Sequence, residues 1–67
     1  MKSFVNLYLS TTIQNKNGQV VKIFKVQKVG TKRTFFALEN EQGKKICNIM
    51  FARLGEAERV TRNYLNR

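Results

Sequence analysis

Read with period two, residues 4 to 13, FVNLYLSTTI, form a strand with two dissimilar faces. Val5, Leu7, Leu9, Thr11 and Ile13 fall on one side, and Phe4, Asn6, Tyr8, Ser10 and Thr12 on the other. Glycines within NKNG (15 to 18), VGTK (29 to 32) and EQGK (41 to 44) mark three tight turns, where positive φ is cheapest for a residue without a Cβ. Four strands follow, near residues 3–13, 19–29, 33–40 and 44–51.

A loop of two or four residues at the first turn sets odd positions of the first strand beside even positions of the second. Val5, Leu7, Leu9 and Ile13 then join Val20, Phe24 and Val26. A loop of three or five residues at the second turn adds Phe36 and Leu38, and a two-residue Gln42-Gly43 turn adds Cys47, Ile49 and Phe51. The parities agree across all four strands, which predicts a meander with this set as its buried face.

Between 52 and 65 the period changes. Leu54, Ala57, Val60, Thr61, Tyr64 and Leu65 fall in one arc at 100° per residue, opposite Glu56, Glu58, Arg59, Arg62, Asn63 and Asn66. This is an amphipathic helix whose apolar side covers the sheet. The predicted fold is α+β: one small domain over residues 1–67, a four-stranded antiparallel β-meander with a single C-terminal helix packed on one face, β-β-β-β-α.

The other face is then open. It receives Phe4, Asn6, Tyr8, Ser10 and Thr12, then Val21, Ile23, Lys25, Gln27 and Val29, then Arg33, Phe35, Ala37 and Glu39, and finally Ile46, Asn48 and Met50. With a four-residue first loop, Tyr8 lies opposite Lys25 and Asn6 opposite Gln27.

Charge gives this face a meaning. Thirteen Lys and Arg against four Glu and no Asp leave +9 on 67 residues, a balance that favours nucleic acid or another polyanion. Bases of single strands stack on aromatic rings while Lys and Arg neutralise the backbone. Phe4, Tyr8, Lys25, Gln27, Lys28, Lys32, Arg33, Phe35 and Asn48 are the candidate single-strand site, with Lys2 as a further source of charge. The same apolar residues equally suit burial against another protein chain, and a homodimer through the sheet face or an edge strand relieves the small core of so short a chain. Both readings stand on the sequence.

Lys44, Lys45, Arg59 and Arg67 form a secondary basic surface. Against a binding role for the helix, Glu58 and Arg62 are spaced i, i+4 and Glu56 and Arg59 i, i+3, the spacing of solvated ion pairs. Loop lysines also serve solubility or guard sheet edges.

Catalysis has little to work with. There is no His and no Asp, Cys47 is expected in the core, and no glycine-rich loop cradles phosphate. One cysteine and no histidine exclude an internal disulfide and the usual zinc ligand sets. The expectation is a non-enzyme without cofactor or metal. The lone cysteine, the lack of a long apolar run and the interrupted residues 1–13, which do not read as a signal peptide, point to the cytoplasm and away from membranes.

The order of four strands and a helix resembles that of small single-strand-binding transcriptional coactivator domains, which work as dimers. It is also similar to the three-stranded sheet-plus-helix DNA-binding domains of phage-type integrases, in which a sheet enters the major groove. These are likenesses of element order, and imply no residue roles. Size and an Asn- and Lys-rich composition suit a phage or mobile-element accessory protein. Two further functions stay open: a protein–protein adaptor or inhibitor using the same face, and duplex binding by the basic turns or the helix.

Overall fold

Three strands and one helix make up the fold in the computed structural model, which describes residues 3–47 and 49–66. β1 (Phe4–Gln14), β2 (Val20–Lys28) and β3 (Thr34–Asn40) form an antiparallel sheet in the order β1-β2-β3, and α1 spans Leu54–Leu65.

The first hairpin sets the faces, and its loop is odd. Gln14 pairs with Val20, so five residues, Asn15–Gln19, make the turn where two or four were expected. Asn15 is the reason. Its Oδ1 accepts from the backbone N–H of Asn17 (3.0 Å) and Gln19 (2.9 Å), an Asx-type turn, while Gly18 takes φ +83°. Odd residues of β1 at this end therefore share a face with odd residues of β2, as in Ile13↔Val21 and Thr11↔Ile23.

The second loop is even where an odd one was expected. The last β2–β3 pair is Gln27↔Thr34, and Lys28 N–H donates to the Arg33 carbonyl at 3.0 Å, which leaves Val29–Lys32 as the turn. The two parity differences cancel for β3, so Phe36 and Leu38 are buried in the core as expected. They invert β2 alone. Val21 and Ile23, expected on the open face, are 1% and 0% exposed in the core beneath the helix, and Val20 and Phe24 lie on the opposite side. Val26 also lies on that opposite side, flanked by Asn6 and Phe35, yet is buried.

Two bulges in β1 move its faces again. The register shifts between Leu9 and Thr11 and between Asn6 and Tyr8, so Leu9 meets Phe24, Tyr8 meets Lys25 and Asn6 meets Val26. Val5, Leu7 and Leu9, expected in the core, are 52%, 46% and 48% exposed. Leu9 now faces away from the helix and Leu7 sits at a bulge, and for Val5, on the helix side, length explains why nothing covers it. A helix of 12 residues is about 18 Å long at 1.5 Å per residue, whereas the 11 residues of β1 run to about 36 Å. The helix roofs only the half of the sheet nearest the first turn.

The fourth strand expected at 44–51 does not form among the described residues of that range. The third turn spans Glu41–Gly43, three residues where two were expected, again on an asparagine: Asn40 Oδ1 accepts from Gln42 and Lys44 N–H at 2.9 Å each, and Gly43 has φ +81°. The chain then touches β3 at two isolated bridges, Glu39↔Lys45 and Phe36↔Phe51. Only Ala37 and Leu38 lie between these points on β3, against residues 46–50 on the returning chain. Two residues cannot pair one to one with five, so a continuous ladder between the bridges is impossible. The fold is therefore β-β-β-α.

The helix begins at Leu54, two residues after the expected start, because Arg53 is still extended (φ −122°, ψ 139°). Its apolar arc is as expected: Ala57, Thr61 and Leu65 are buried, with Leu54, Val60 and Tyr64 packed against the core of Val21, Ile23, Phe36, Leu38 and Phe51. Thr61 is accommodated there because its Oγ1 donates to the Ala57 carbonyl at 2.8 Å, which gives its buried hydroxyl a partner.

Candidate functional site

The residues expected to share one open face are divided by the structure between two. On the face turned away from the helix, Phe4 of β1 and Phe35 of β3 meet edge to face, ring centroids 5.9 Å apart at 86°. They flank an open groove of about 940 Å³ that also takes in Asn6, Met50, Glu39 and Lys45. Both rings are half-buried and line the groove.

Sequence reasoning left Phe24 and Lys22 out of this face. The pairs Leu9↔Phe24↔Ala37 and Thr12↔Lys22↔Glu39 place them on it, since directly opposed residues point the same way. Phe4↔Lys28 adds a second lysine at the far end of β2. The open face thus carries Phe4, Phe24 and Phe35 among Lys22, Lys28 and Lys45. The signal that finds Phe24 and Lys22 is the N-x-x-G spacing at Asn15–Gly18, which marks a turn pinned by its asparagine and so an odd loop.

Tyr8, Lys25 and Gln27 lie on the other side. Tyr8 is directly opposite Lys25, as expected, but Lys25 extends its Nζ over the ring of Phe36, 4.2 Å from the centroid, and Phe36 belongs to the core under the helix. These three residues occupy the end of that side which α1 does not reach, and Tyr8 is 58% exposed there. Gln27 is engaged locally, its Nε2 donating to the Thr31 carbonyl at 2.8 Å.

The other candidate basic residues among those described form three groups. Lys28, Lys32 and Arg33 are exposed around the second turn, which Thr31 braces by donating its Oγ1 to the Lys28 carbonyl (3.1 Å) and accepting from Arg33 N–H (3.2 Å). Lys44 and Lys45 are exposed after the third turn, Lys45 at the groove. Arg59 is exposed on the helix, whereas Arg62 is paired with Glu58 at 3.5 Å as expected. Asn48, Arg67 and Lys2 lie outside the described residues.

No family model, curated protein or solved structure matches the chain. What the arrangement can do is therefore read from its own chemistry. Among the described residues no cluster of Cys, Asp and Glu has the size of a metal site, and no helix is long and apolar enough to cross a membrane. Cys47 is half-buried, and its thiol donates to the Ile49 carbonyl at 3.4 Å. Three aromatic rings, the Asn6 amide and several ammonium groups equip the open face for stacking and for charge neutralisation.

Proposed function

We propose that this protein is a non-catalytic nucleic-acid-binding module that takes single-stranded DNA or RNA on the sheet face turned away from the helix. The observation that carries this is the gathering of Phe4, Phe24 and Phe35 with Lys22, Lys28 and Lys45 on one open face of a chain with net charge +9. Bases would stack on the rings of Phe4 and Phe35 in the groove, with Asn6 offering an amide for hydrogen bonding and the lysines neutralising phosphates. We take the protein to work in the cytoplasm, a reading supported by its single free cysteine.

A salt titration against single- and double-stranded oligonucleotides tests the proposal. Phosphate neutralisation gives a steep negative slope of log K against log salt, so single strands are expected to bind tightly at low salt with such a slope. Absence of binding at low salt rejects the proposal and favours an adaptor or inhibitor that docks a protein on the same face.

One observation favours duplex as a second substrate. Three strands followed by a helix is the element order of the integrase-type domains noted above, and Lys28, Lys32 and Arg33 project from the turn at the unroofed end of the sheet. Preference for duplex over single strand in the same titration selects this reading.

A further inference from the structure

The two edges of the sheet are treated differently. Along β3 the returning chain satisfies the edge: Asn40 N–H donates to Lys44, Ile46 N–H to Leu38, and Phe36 and Phe51 exchange two backbone bonds. β1 has β2 as its single strand neighbour, and no other segment pairs with it among the described residues. It is 11 residues long and exposes Val5, Leu7, Tyr8 and Leu9. Edges of this kind are guarded by charge, especially lysine, or by bulges, of which β1 has two at Leu7 and Ser10. Here residues 3–15 are the longest run without a charged side chain in a chain of +9.

We propose that the partner of this edge is a second copy of the chain, joined β1 to β1 in antiparallel register about a two-fold axis at Leu9. Charge locates the contact and does not drive it: two molecules of +9 repel overall, and β1 is where they bring together the longest uncharged run, so that apolar Val5, Leu7 and Leu9 meet with the least like charge between them. The register is self-complementary over the whole of β1. With Leu9 facing Leu9, Val5 meets Ile13 and Asn6 meets Thr12, apolar beside apolar and amide beside hydroxyl, while Phe4 meets Gln14, Leu7 meets Thr11 and Tyr8 meets Ser10, each with no charge opposed. The bulges preserve this match, because Val5 and Ile13 both lie on the helix side while Phe4, Asn6, Leu9, Thr12 and Gln14 lie on the open side. A six-stranded sheet results, with both helices on one side and the two open faces merged into one. The inference stands independently of the ligand, so its failure and that of the nucleic-acid reading are separable.

Sedimentation equilibrium of the full chain, without nucleic acid, tests it. The wild type is expected to reach twice the 7.8 kDa mass of one chain as concentration rises. Leu9→Lys and Leu9→Glu each place like charges opposite across the axis and are expected to stay at the mass of one chain, while their equimolar mixture recovers the doubled mass. If circular dichroism shows either variant unfolded, the exposed pair Asn6 and Thr12 replaces it, as Asn6→Lys/Thr12→Lys mixed with Asn6→Glu/Thr12→Glu. A wild type that remains at one-chain mass, single-sign variants that keep the doubled mass, or a mixture that fails to associate each overturns the proposal.

Discussion

Asn15 ties the first turn to the far end of the chain: its Nδ2 donates to the Leu65 carbonyl at 3.2 Å, across 50 residues of sequence. The same amide donates to Gln19 Oε1 at 2.8 Å, while its oxygen holds two backbone N–H groups of the loop. One side chain thus fixes the parity of the hairpin and satisfies a carbonyl at the helix terminus.

Asn15→Ala is expected to lower stability by about 1–3 kcal/mol in urea unfolding, because several hydrogen-bonding groups lose their partner together. Asn15→Asp keeps the acceptor but loses the bond to Leu65 and sets a carboxylate against the negative end of the helix dipole. It is expected to cost about 1 kcal/mol. Equal stability of Asn15→Asp and wild type would remove the helix tie from the account.

The inversion of β2 is open to a direct comparison. Ile23→Ala should cost about 2–5 kcal/mol, as for other fully buried aliphatic residues, whereas Leu9→Ala on its half-exposed strand should cost less than about 1.5 kcal/mol. Near-equal losses in denaturant melts would contradict the observed faces.

Gly55 lies in the first turn of the helix with open space where a Cβ would sit. Gly55→Ala is expected to raise stability by about 0.5–1 kcal/mol, through restriction of the unfolded chain and better helix propensity. A thermal melt raised by a few degrees is the readout, and a lowered Tm would mean the methyl meets something unseen.

The division of the aromatic residues makes a sharp distinction in binding. Phe35→Leu keeps the burial but removes the aromatic ring, and should weaken single-strand binding by about 1–3 kcal/mol. Tyr8→Ala, on the other side of the sheet, should leave affinity unchanged. The reverse outcome would place the nucleic acid beside Tyr8 and Lys25 instead. Lys22→Gln and Lys28→Gln should each flatten the salt slope by about 0.7 for a single-stranded ligand.

Much of this fold was legible in the sequence because helix periodicity and glycine turns are local signals. The arc Leu54, Ala57, Val60, Thr61, Tyr64, Leu65 needed no knowledge of the sheet, and the strand positions of β1, β2 and β3 followed from the turns between them. Facing was not legible by parity alone, because each loop contributes one unit of parity and each bulge another. A side-chain choice at Asn15 outweighed the glycine signal, and the bulges at Leu7 and Ser10 have no marker such as glycine. Phe4 and Phe35 share a face as expected, since both β1 near Phe4 and β3 keep their expected faces, and their ring contact is a finding of the structure. Tyr8 and Lys25 were rightly paired with one another and wrongly grouped with those rings.

The short roof over a long sheet also grades the molecule in time. Amides of β2 between Val21 and Ile23 sit beneath α1 and exchange with solvent only when the whole domain opens, whereas those at the Phe4 and Lys28 end open by local fraying. Hydrogen exchange should therefore read as a gradient along each strand, slow at the Asn15 turn and fast at the Gly30 turn. Phe4 thus sits at the end expected to fray, so its ring can adjust to what it meets, while Glu39 and Lys45 at the other end of the groove are held beside the roofed half.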